Sequence, residues 1–199
     1  MATELEINTL FPVFLKLEKL NVLLVGAGNV GVEKAKAILK NSPQTKLSVV
    51  AAFVSDEMKM LPKEFPQISI VAKAFDAQDL DSVQILFLAI NDKAKSADIV
   101  ELAHSKNILV NVADTPDLCD FYLSSVVQKG NLKIAISTNG KSPTLAKRLR
   151  ELLEESLPDS IEILLQNLYS IRENLKGDFA EKVRQLNELT DILKNKMQK

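Results

Sequence analysis

The sequence contains one cysteine, one histidine and no tryptophan among its 199 residues. A single cysteine excludes a disulfide within the chain, and it excludes a zinc or iron–sulfur site built from several thiolates. One histidine beside one cysteine is also too few for a conventional transition-metal site. We therefore expect no resident metal and a chemistry that rests on other residue types.

The net charge is small, and the apolar runs are short as well. The 25 basic and 26 acidic residues give a formal net charge of −1, so no overall basic field favours nucleic acid or an anionic membrane. No apolar run approaches the roughly 20 residues of a membrane-spanning helix. Residues 1–6 are acidic and lack the pattern of a signal peptide. We expect a cytoplasmic protein that binds neither nucleic acid nor membrane.

Glycine is also rare, but three of the six glycines form the pattern G-x-G-x-x-G. Gly26, Gly28 and Gly31 follow the apolar run 21–25 and precede a helix-like stretch, 32–40. This order is typical of a Rossmann-type dinucleotide site. There, one glycine permits a tight turn, one admits a pyrophosphate to the backbone, and one lets the helix pack on the sheet. A strand-to-helix turn without a ligand is the alternative.

The same pattern indicates which residues hold the cofactor. The phosphates would lie on backbone N–H groups at the positive end of the helix. NAD-preferring domains usually carry an acidic residue about 20 positions beyond the glycines, but here no carboxylate appears before Asp56 and no arginine is present. We expect NAD rather than NADP. The expected cofactor-binding residues are Gly26, Gly28, Asn29, Val30, Gly31, Ala52 and Phe53.

Strand-like and helix-like segments alternate through the first half of the chain, which predicts a parallel sheet covered on both faces. We expect the second helix to end at Pro62, and Ala97, Val100 and Ala103 to share one side of the third. Beyond the first strand and helix, the strand-like runs are 46–51, 67–72, 82–90 and 107–112, and the helix-like runs are 55–61 and 93–105.

The pattern changes after residue 112. The strand-like runs 121–127 and 132–137 flank a Lys-Gly-Asn turn, which predicts a β-hairpin. So small a β-unit cannot form its own core, and pairing with a second copy is expected. From residue 142 the sequence is helical, with an apolar stripe. The stripe consists of Leu145, Leu149, Leu152 and Leu153.

These features predict an α/β protein in three parts. Residues 1–112 form a Rossmann-type NAD-binding domain with a parallel sheet. Residues 113–141 form a small β-hairpin that connects the domains and dimerises, and residues 142–199 form a helical C-terminal domain.

Asp114 is the candidate for chemistry. It follows the fifth predicted strand at its carboxyl end, which is where ligands bind in α/β sheets. A carboxylate beside a bound nicotinamide could act as a general base. The alternative is that Asp114 or Asp117 only organises the turn around Pro116.

The loop before the helical part is the candidate substrate site. Gly140-Lys141-Ser142 imitates the end of a P-loop, but Ala135 stands where that motif requires glycine, and Pro143 lacks a donor. We therefore reject a nucleotide triphosphatase. A polar loop before Lys147, Arg148 and Arg150 could instead hold a polyanionic small molecule, and a capped helix with a solvated basic face is the alternative.

The two remaining reactive side chains have ordinary interpretations. His104 lies near the end of a predicted helix, and we expect it to interact with the last carbonyls of that helix. Cys119 has no basic neighbour in sequence, and we expect a packed thiol rather than a nucleophile.

Four segments, in this order, resemble the precorrin-2 dehydrogenase family, which includes the amino-terminal part of sirohaem synthase. The resemblance covers about residues 8–155 well and the helical tail only loosely. Asn139 departs from some relatives, which carry glycine there. The matching segments are 10–15 (LFPVFL), 25–30 (VGAGNV), 111–116 (NVADTP) and 137–143 (STNGKSP).

The resemblance implies NAD-dependent oxidation of precorrin-2 to sirohydrochlorin, on the way to sirohaem or cobalamin. It implies that Asp114 is the shared active-site aspartate and that family members are homodimers with exchanged segments. In some relatives the aspartate also serves insertion of Fe²⁺ or Co²⁺ as substrate, and the resemblance leaves ferrochelatase activity open here. The implied substrate-binding residues are Thr138, Asn139, Gly140, Lys141 and Ser142.

Two other functions remain as alternatives. One is a non-catalytic NAD-sensing regulatory domain, although such sensors usually keep the acidic residue after the second strand. The other is a chelatase with a degenerate nucleotide site.

Overall fold

The computed structural model describes residues 7–175 and 179–196, with side chains in the last helix described up to residue 188. The signal-peptide interpretation concerns residues 1–6 and lies outside the described residues. The chain forms two compact units that divide between residues 123 and 124. Among the described helices, none is both long and apolar enough to cross a membrane.

The first unit is built on a five-stranded parallel sheet, as the alternating pattern predicts. The strand order is β3-β2-β1-β4-β5, so the order reverses between β1 and β4. The strands are β1 (Val22–Ala27), β2 (Leu47–Val54), β3 (Ile68–Ala72), β4 (Ile85–Leu88) and β5 (Leu109–Val112), and the helices are α1 (Asn29–Asn41), α2 (Asp56–Glu64) and α3 (Lys93–Ser105).

Both faces of this sheet are covered by helices. Leu24 of β1 packs in one apolar cluster with residues of α1 and α2, and its neighbour Leu23 packs in a second cluster with residues of α3. Since successive side chains of a strand point to opposite faces, every residue of β1 and β4 is buried. This explains why those strands read as continuous apolar runs rather than as alternating ones.

The register places three strand ends at one edge. Val25 of β1 pairs with Leu88 of β4, and Leu88 pairs with Val112 of β5. All three strands are parallel, so the segments that follow them leave the sheet side by side. This edge carries the glycine turn and the segment that contains Asp114.

Two expectations about the helices are wrong. Helix α2 continues through Pro62 to Glu64, because a proline in the last turn forfeits only one hydrogen bond and Phe65 still closes the helix on the Leu61 carbonyl at 2.7 Å. Ala97 is exposed, and the buried residues of α3 are Ser96, Ile99, Val100 and Ala103. Their spacing of three and four residues follows one helix face.

The second unit starts with the predicted hairpin. Strands β6 (Ser125–Lys129) and β7 (Leu132–Ile136) are antiparallel and joined by a two-residue turn. The expected strand at 121–124 is wrong, since Phe121 instead packs edge-on against Phe87 of the first unit's sheet. Three helices follow: α4 (Pro143–Ser156), α5 (Ile161–Asn174) and α6 (Phe179–Lys196).

The second unit buries few apolar side chains by itself. Among its described residues, Val127 and Ala146 are the fully buried apolar ones. In the leucine stripe of α4, Leu145, Leu149 and Leu152 are 51%, 37% and 57% exposed. The stripe therefore forms at the predicted positions, but the described residues leave these three leucines exposed.

Candidate functional site

Two of the three patterned glycines are required by the fold. Gly26 has a φ of +108°, and a Cβ there would collide with the backbone carbonyl of Ala89, just after β4. A Cβ on Gly31 would collide with the carbonyl of Gly26, because α1 packs directly against the turn. These glycines therefore produce the tight turn and the close contact between helix and strand.

Gly28 has a different environment. Among the described residues, no heavy atom outside its immediate chain neighbours lies within 4 Å of the position that a Cβ would take, so the space beside its backbone is open. Gly28 also precedes α1 and offers no side chain to cap it, and the first turn of α1 contains no acidic residue. The backbone N–H groups and the positive end of the helix dipole thus face an open space, which fits a bound pyrophosphate.

Helices α2, α3 and α4 are capped differently. Ser55 accepts from the N–H of Met58 at the start of α2, and Asp92 accepts from Lys95 at the start of α3. Ser142 likewise accepts from Leu145 at the start of α4. Side-chain oxygens thus occupy the start of these helices, whereas α1 presents bare backbone donors.

The end of β2 lies one strand away from the glycine turn, since Val54 pairs with Ala27. Ala52 and Phe53 are both exposed there, and the Phe53 residue is 74% exposed. The first carboxylate after them, Asp56, bonds Lys59 at 2.7 Å within α2. That hydrogen bond holds the pKa of Asp56 below its ordinary value.

Asp114 lies at the same edge, just beyond β5. The N–H of Ala113 still bonds the Leu88 carbonyl at 2.8 Å, and the chain then turns through Asp114, which has a φ of +55° and is exposed. Neighbouring strands are about 4.8 Å apart, so β5 lies roughly 10 Å from β1, within the span of a dinucleotide.

The turn that contains Asp114 is closed by other groups. The Thr115 hydroxyl donates to the Ala113 carbonyl at 3.3 Å, and the N–H of Leu118 donates to the Thr115 carbonyl at 3.1 Å. Among the hydrogen bonds of the described residues, none is accepted by the carboxylate of Asp114 or Asp117. The Asp114 carboxylate is therefore available to a ligand.

Lys34 of α1 and Asn111 of β5 form a hydrogen-bonded pair close to this edge in the chain, and the sequence analysis identified neither as a functional residue. Lys34 of α1 donates from Nζ to Asn111 Oδ1 of β5 at 2.7 Å. Asn111 is 4% exposed, and its Nδ2 donates to the Phe121 carbonyl at 2.8 Å. The sequence did contain one sign of this pair: an asparagine in a short apolar strand is expected to be buried, and a buried polar side chain needs hydrogen-bond partners.

Burial and nearby charges have opposite effects on the pKa of Lys34. Burial lowers the pKa of Lys34, while the charges of Cys119, Asp114 and Glu33 raise it, and the net direction is downward. Asp114 is therefore one of the charges that favour the protonated form of Lys34.

Cys119 is a packed thiol, as expected. Its Sγ lies 3.2 Å from both the N–H and the carbonyl of Val112. Burial raises the pKa of Cys119, partly offset by the Val112 hydrogen bond and the Lys34 charge. A raised pKa disfavours the thiolate that a nucleophile needs.

The expectation for His104 is wrong. Its Nε2 lies 3.0 Å from Asp120 Oδ2, rather than on the last carbonyls of α3. The same oxygen accepts from the Val110 N–H at 2.8 Å. Asp120 thereby ties the end of α3 to β5, a contact between residues 16 positions apart.

The loop at 138–142 belongs to the second unit. Asn139 and Gly140 have φ values of +53° and +74°, which explains why glycine suits position 139 in relatives. The Thr138 carbonyl accepts from the Lys141 N–H at 3.0 Å, and the Thr138 hydroxyl accepts from the Ser142 N–H at 3.2 Å. The loop is thus an internally bonded turn.

The basic side chains that follow are paired within α4. Arg150 bonds both carboxylate oxygens of Glu154 at 2.8 Å, and Lys147 and Arg148 lie 3.9 and 3.4 Å from Glu151. The expected basic face is therefore largely neutralised by its own helix. Among the described residues, no group of three or more His, Cys, Asp or Glu side chains could hold a metal ion.

Comparison with known families identifies the class of protein. The family model described as "Putative NAD(P)-binding" matches residues 13–125, which is more than half of the chain, and the chain therefore belongs to this family. A second model, described as "Sirohaem biosynthesis protein central", matches residues 129–156, which span most of the hairpin and α4.

The individual proteins most similar in sequence include siroheme synthases. The chain is 34% identical over 183 residues to the siroheme synthase of Pseudoalteromonas atlantica, and 33% identical over 170 residues to that of Methylococcus capsulatus. These matches cover 92% and 85% of the chain but 39% and 35% of the relatives, so the chain spans little more than a third of their length.

A solved structure matches at nearly full length. It is described as "SirC, precorrin-2 dehydrogenase", with a TM-score of 0.70, 27% identity, and coverage of 90% of this chain and 89% of that one. Together with the two siroheme synthases, it confirms the family resemblance inferred from the four sequence segments.

Proposed function

We propose that this chain catalyses the NAD⁺-dependent oxidation of precorrin-2 to sirohydrochlorin. One observation carries the proposal: the glycine turn and Asp114 lie at the same edge of one sheet, two strands apart. The start of α1 in that turn has no side-chain cap, and the Asp114 carboxylate accepts no hydrogen bond from the described residues. The likeness to SirC, over 90% of the chain, supports the choice of substrate.

The residues divide the work as follows. The backbone N–H groups around Gly28 and the start of α1 would hold the pyrophosphate, and the exposed residues Ala52 and Phe53 would contact the adenosine end. NAD⁺ held there would supply the hydride acceptor for the oxidation of precorrin-2. Asp114 accepts the proton that the substrate loses in the same oxidation, so that NADH, a proton and sirohydrochlorin result.

NAD⁺ is preferred over NADP⁺ in this proposal. The end of β2 presents apolar side chains, and the nearest charged group along the chain is the Asp56 carboxylate, which repels a 2′-phosphate. Lys59 is already bonded to Asp56, which makes it a poor clamp for that phosphate.

The second unit supplies the substrate loop and the dimer contact in this proposal. The polar, internally bonded turn at 138–142 would receive the carboxylates of a tetrapyrrole. The uncovered leucines of α4 support a homodimer, because this unit buries too little apolar surface alone.

The test is turnover of precorrin-2 by the Asp114→Asn variant. Asparagine tolerates the positive φ at this position and keeps the shape, but it cannot accept the proton, so we expect sirohydrochlorin formation to fall by about 10²-fold or more. Asp117→Asn, three residues along the same exposed turn, is the matched control and should turn over normally. Near-normal turnover by Asp114→Asn contradicts the assignment.

The wild-type assay separates the alternatives. Sirohydrochlorin should appear with NAD⁺, more slowly with NADP⁺, and not without either. Metal insertion into sirohydrochlorin with no NAD⁺ turnover would indicate a chelatase instead. NAD⁺ binding with neither reaction would indicate a sensor.

A further inference from the structure

Lys34 has a position that the fold alone does not explain. It lies on α1, yet its ammonium reaches a residue 77 positions later, in the last strand of the sheet. Among the described residues, no carboxylate lies within ion-pair distance of it. Placing a partly buried ammonium against an uncharged amide is costly, as the downward direction of the Lys34 pKa shows.

The partner of Lys34 connects it to the candidate site. The Asn111 amide is buried and bonded at both ends, with Lys34 on its oxygen and the Phe121 carbonyl on its nitrogen. Asn111 stands three residues before Asp114, and Val112 between them holds the sulfur of Cys119. Asn111 thus joins the strand that leads into the Asp114 turn to the segment that leads out of it, and Lys34 bonds this asparagine.

The charge of Lys34 also acts on this turn directly. The charges that oppose the effect of burial on Lys34 are those of Cys119, Asp114 and Glu33. Glu33 is its exposed neighbour on α1, and Cys119 is a packed thiol. Asp114 is the one among these three that the proposed reaction uses.

We propose that Lys34 is a positioning residue for Asp114, holding the turn after β5 by its hydrogen bond to Asn111 and by attraction between its ammonium and the Asp114 carboxylate. The inference rests on the proposed function for its catalytic consequence. The coupling between the two charges, however, can be measured without turnover.

The first measurement is the titration of Lys34 by NMR in the full chain. Asp114→Asn removes a charge that raises the pKa of Lys34, so its titration midpoint should fall. Asp117→Asn, in the same turn, should leave that midpoint in place. An unchanged midpoint in Asp114→Asn overturns the proposal, whatever substrate the protein acts on.

The second measurement is a double-mutant cycle on turnover. Lys34→Met keeps the length of the side chain and removes its charge, and we expect kcat to fall about ten- to a hundredfold, with the KM for NAD⁺ little changed. Lys34→Arg should restore much of the loss. Lys40→Met, at the exposed end of the same helix, is the control and should retain wild-type turnover.

The cycle distinguishes positioning from general weakening of the structure. In the Asp114→Asn background, Lys34→Met should cause little further loss, because its effect passes through Asp114. A full further loss, or a melting temperature that collapses in Lys34→Met and explains the lost turnover, overturns the proposal. If wild-type protein does not oxidise precorrin-2, the proposed function fails, and the Lys34 titration still decides the coupling.

Discussion

The three patterned glycines look alike in the sequence but are required for different reasons. Gly26 and Gly31 are required because a Cβ would meet backbone, whereas a Cβ on Gly28 would meet none of the described residues within 4 Å. We propose that the requirement at Gly28 comes from a ligand, and mutation can separate the two kinds of glycine.

Gly28→Ala should fold normally and bind NAD⁺ poorly. The φ of Gly28 is −81°, which alanine adopts freely, but alanine is a poorer N-cap than glycine, so we expect a stability loss of about 1 kcal/mol or less. The added methyl group occupies the space proposed for the pyrophosphate, and we expect NAD⁺ affinity to fall about tenfold, which is about 1.4 kcal/mol. Thermal melts and calorimetric titration with NAD⁺ measure the two effects.

Gly26→Ala is the matched comparison. It combines a positive φ with a backbone collision and should cost at least about 2 kcal/mol of folding stability. If Gly28→Ala binds NAD⁺ as tightly as wild type, the cofactor does not approach this turn as proposed.

The two charged residues near β5 differ in how well sequence could find them. Asp114 was predictable, because the end of a parallel strand is a defined place in the chain. Lys34 was not, since its significance depends on Asn111, which lies 77 residues away. A helix pattern shows that residue 34 is on α1, but not which strand its side chain reaches.

At the scale of elements, the hairpin turn is clamped by a helix. Glu162, in the first turn of α5, accepts from both the backbone N–H and the side-chain amide of Asn131, each at 2.6 Å. A Cβ on Gly130 would collide with the same glutamate. Gly130 and Asn131 thus form the hairpin turn and also make its contact with α5.

This clamp should make stability depend on pH. The hydrogen bonds from Asn131 and Gln166 lower the pKa of Glu162 below its ordinary 4.5. A lowered pKa means that the stabilisation is complete above about pH 4.5 and is lost as the pH falls through the lowered value. Glu162→Gln should therefore melt below wild type at pH 7, and the difference should shrink under acid.

The measurement is a series of thermal melts between pH 7 and pH 3. Glu173→Gln, on the same helix and exposed, should show no such pH-dependent difference from wild type. A constant difference for Glu162→Gln across the whole range would show that the carboxylate charge does not hold the turn.

The two corrections in α2 and α3 share a cause. Pro62 suggested a helix end, but the surrounding residues bury Met58 and Leu61, and that packing outweighs one missing hydrogen bond. Ala97 suggested a buried position, but only the crossing of α3 over the sheet decides which residues face it. Tertiary packing overrides local preference in both helices.

At the scale of the whole molecule, we expect the second unit to pack against a second copy of the chain. Leu149 and Leu152 are one turn apart on α4 and remain exposed in the chain. We expect sedimentation to give twice the chain mass of 22.0 kDa. The double variant Leu149→Glu/Leu152→Glu should sediment as a monomer, because burying two carboxylates at an apolar contact is unfavourable.

Glu155→Gln, an exposed polar position on the same helix, should keep the wild-type mass. A wild-type protein that sediments at 22.0 kDa at micromolar concentration would contradict the dimer.

The sequence by itself determined the five parallel strands, the hairpin turn and the glycine turn, because side-chain periodicity and turn chemistry are properties of neighbouring residues. It also determined that Asp114 follows a strand end. Only the tertiary structure decided that the uncapped start of α1 lies beside an open space, that His104 contacts Asp120, and that Lys34 bonds Asn111. The two side-chain contacts join elements far apart in the chain, and they exist only once the helices have packed against the sheet.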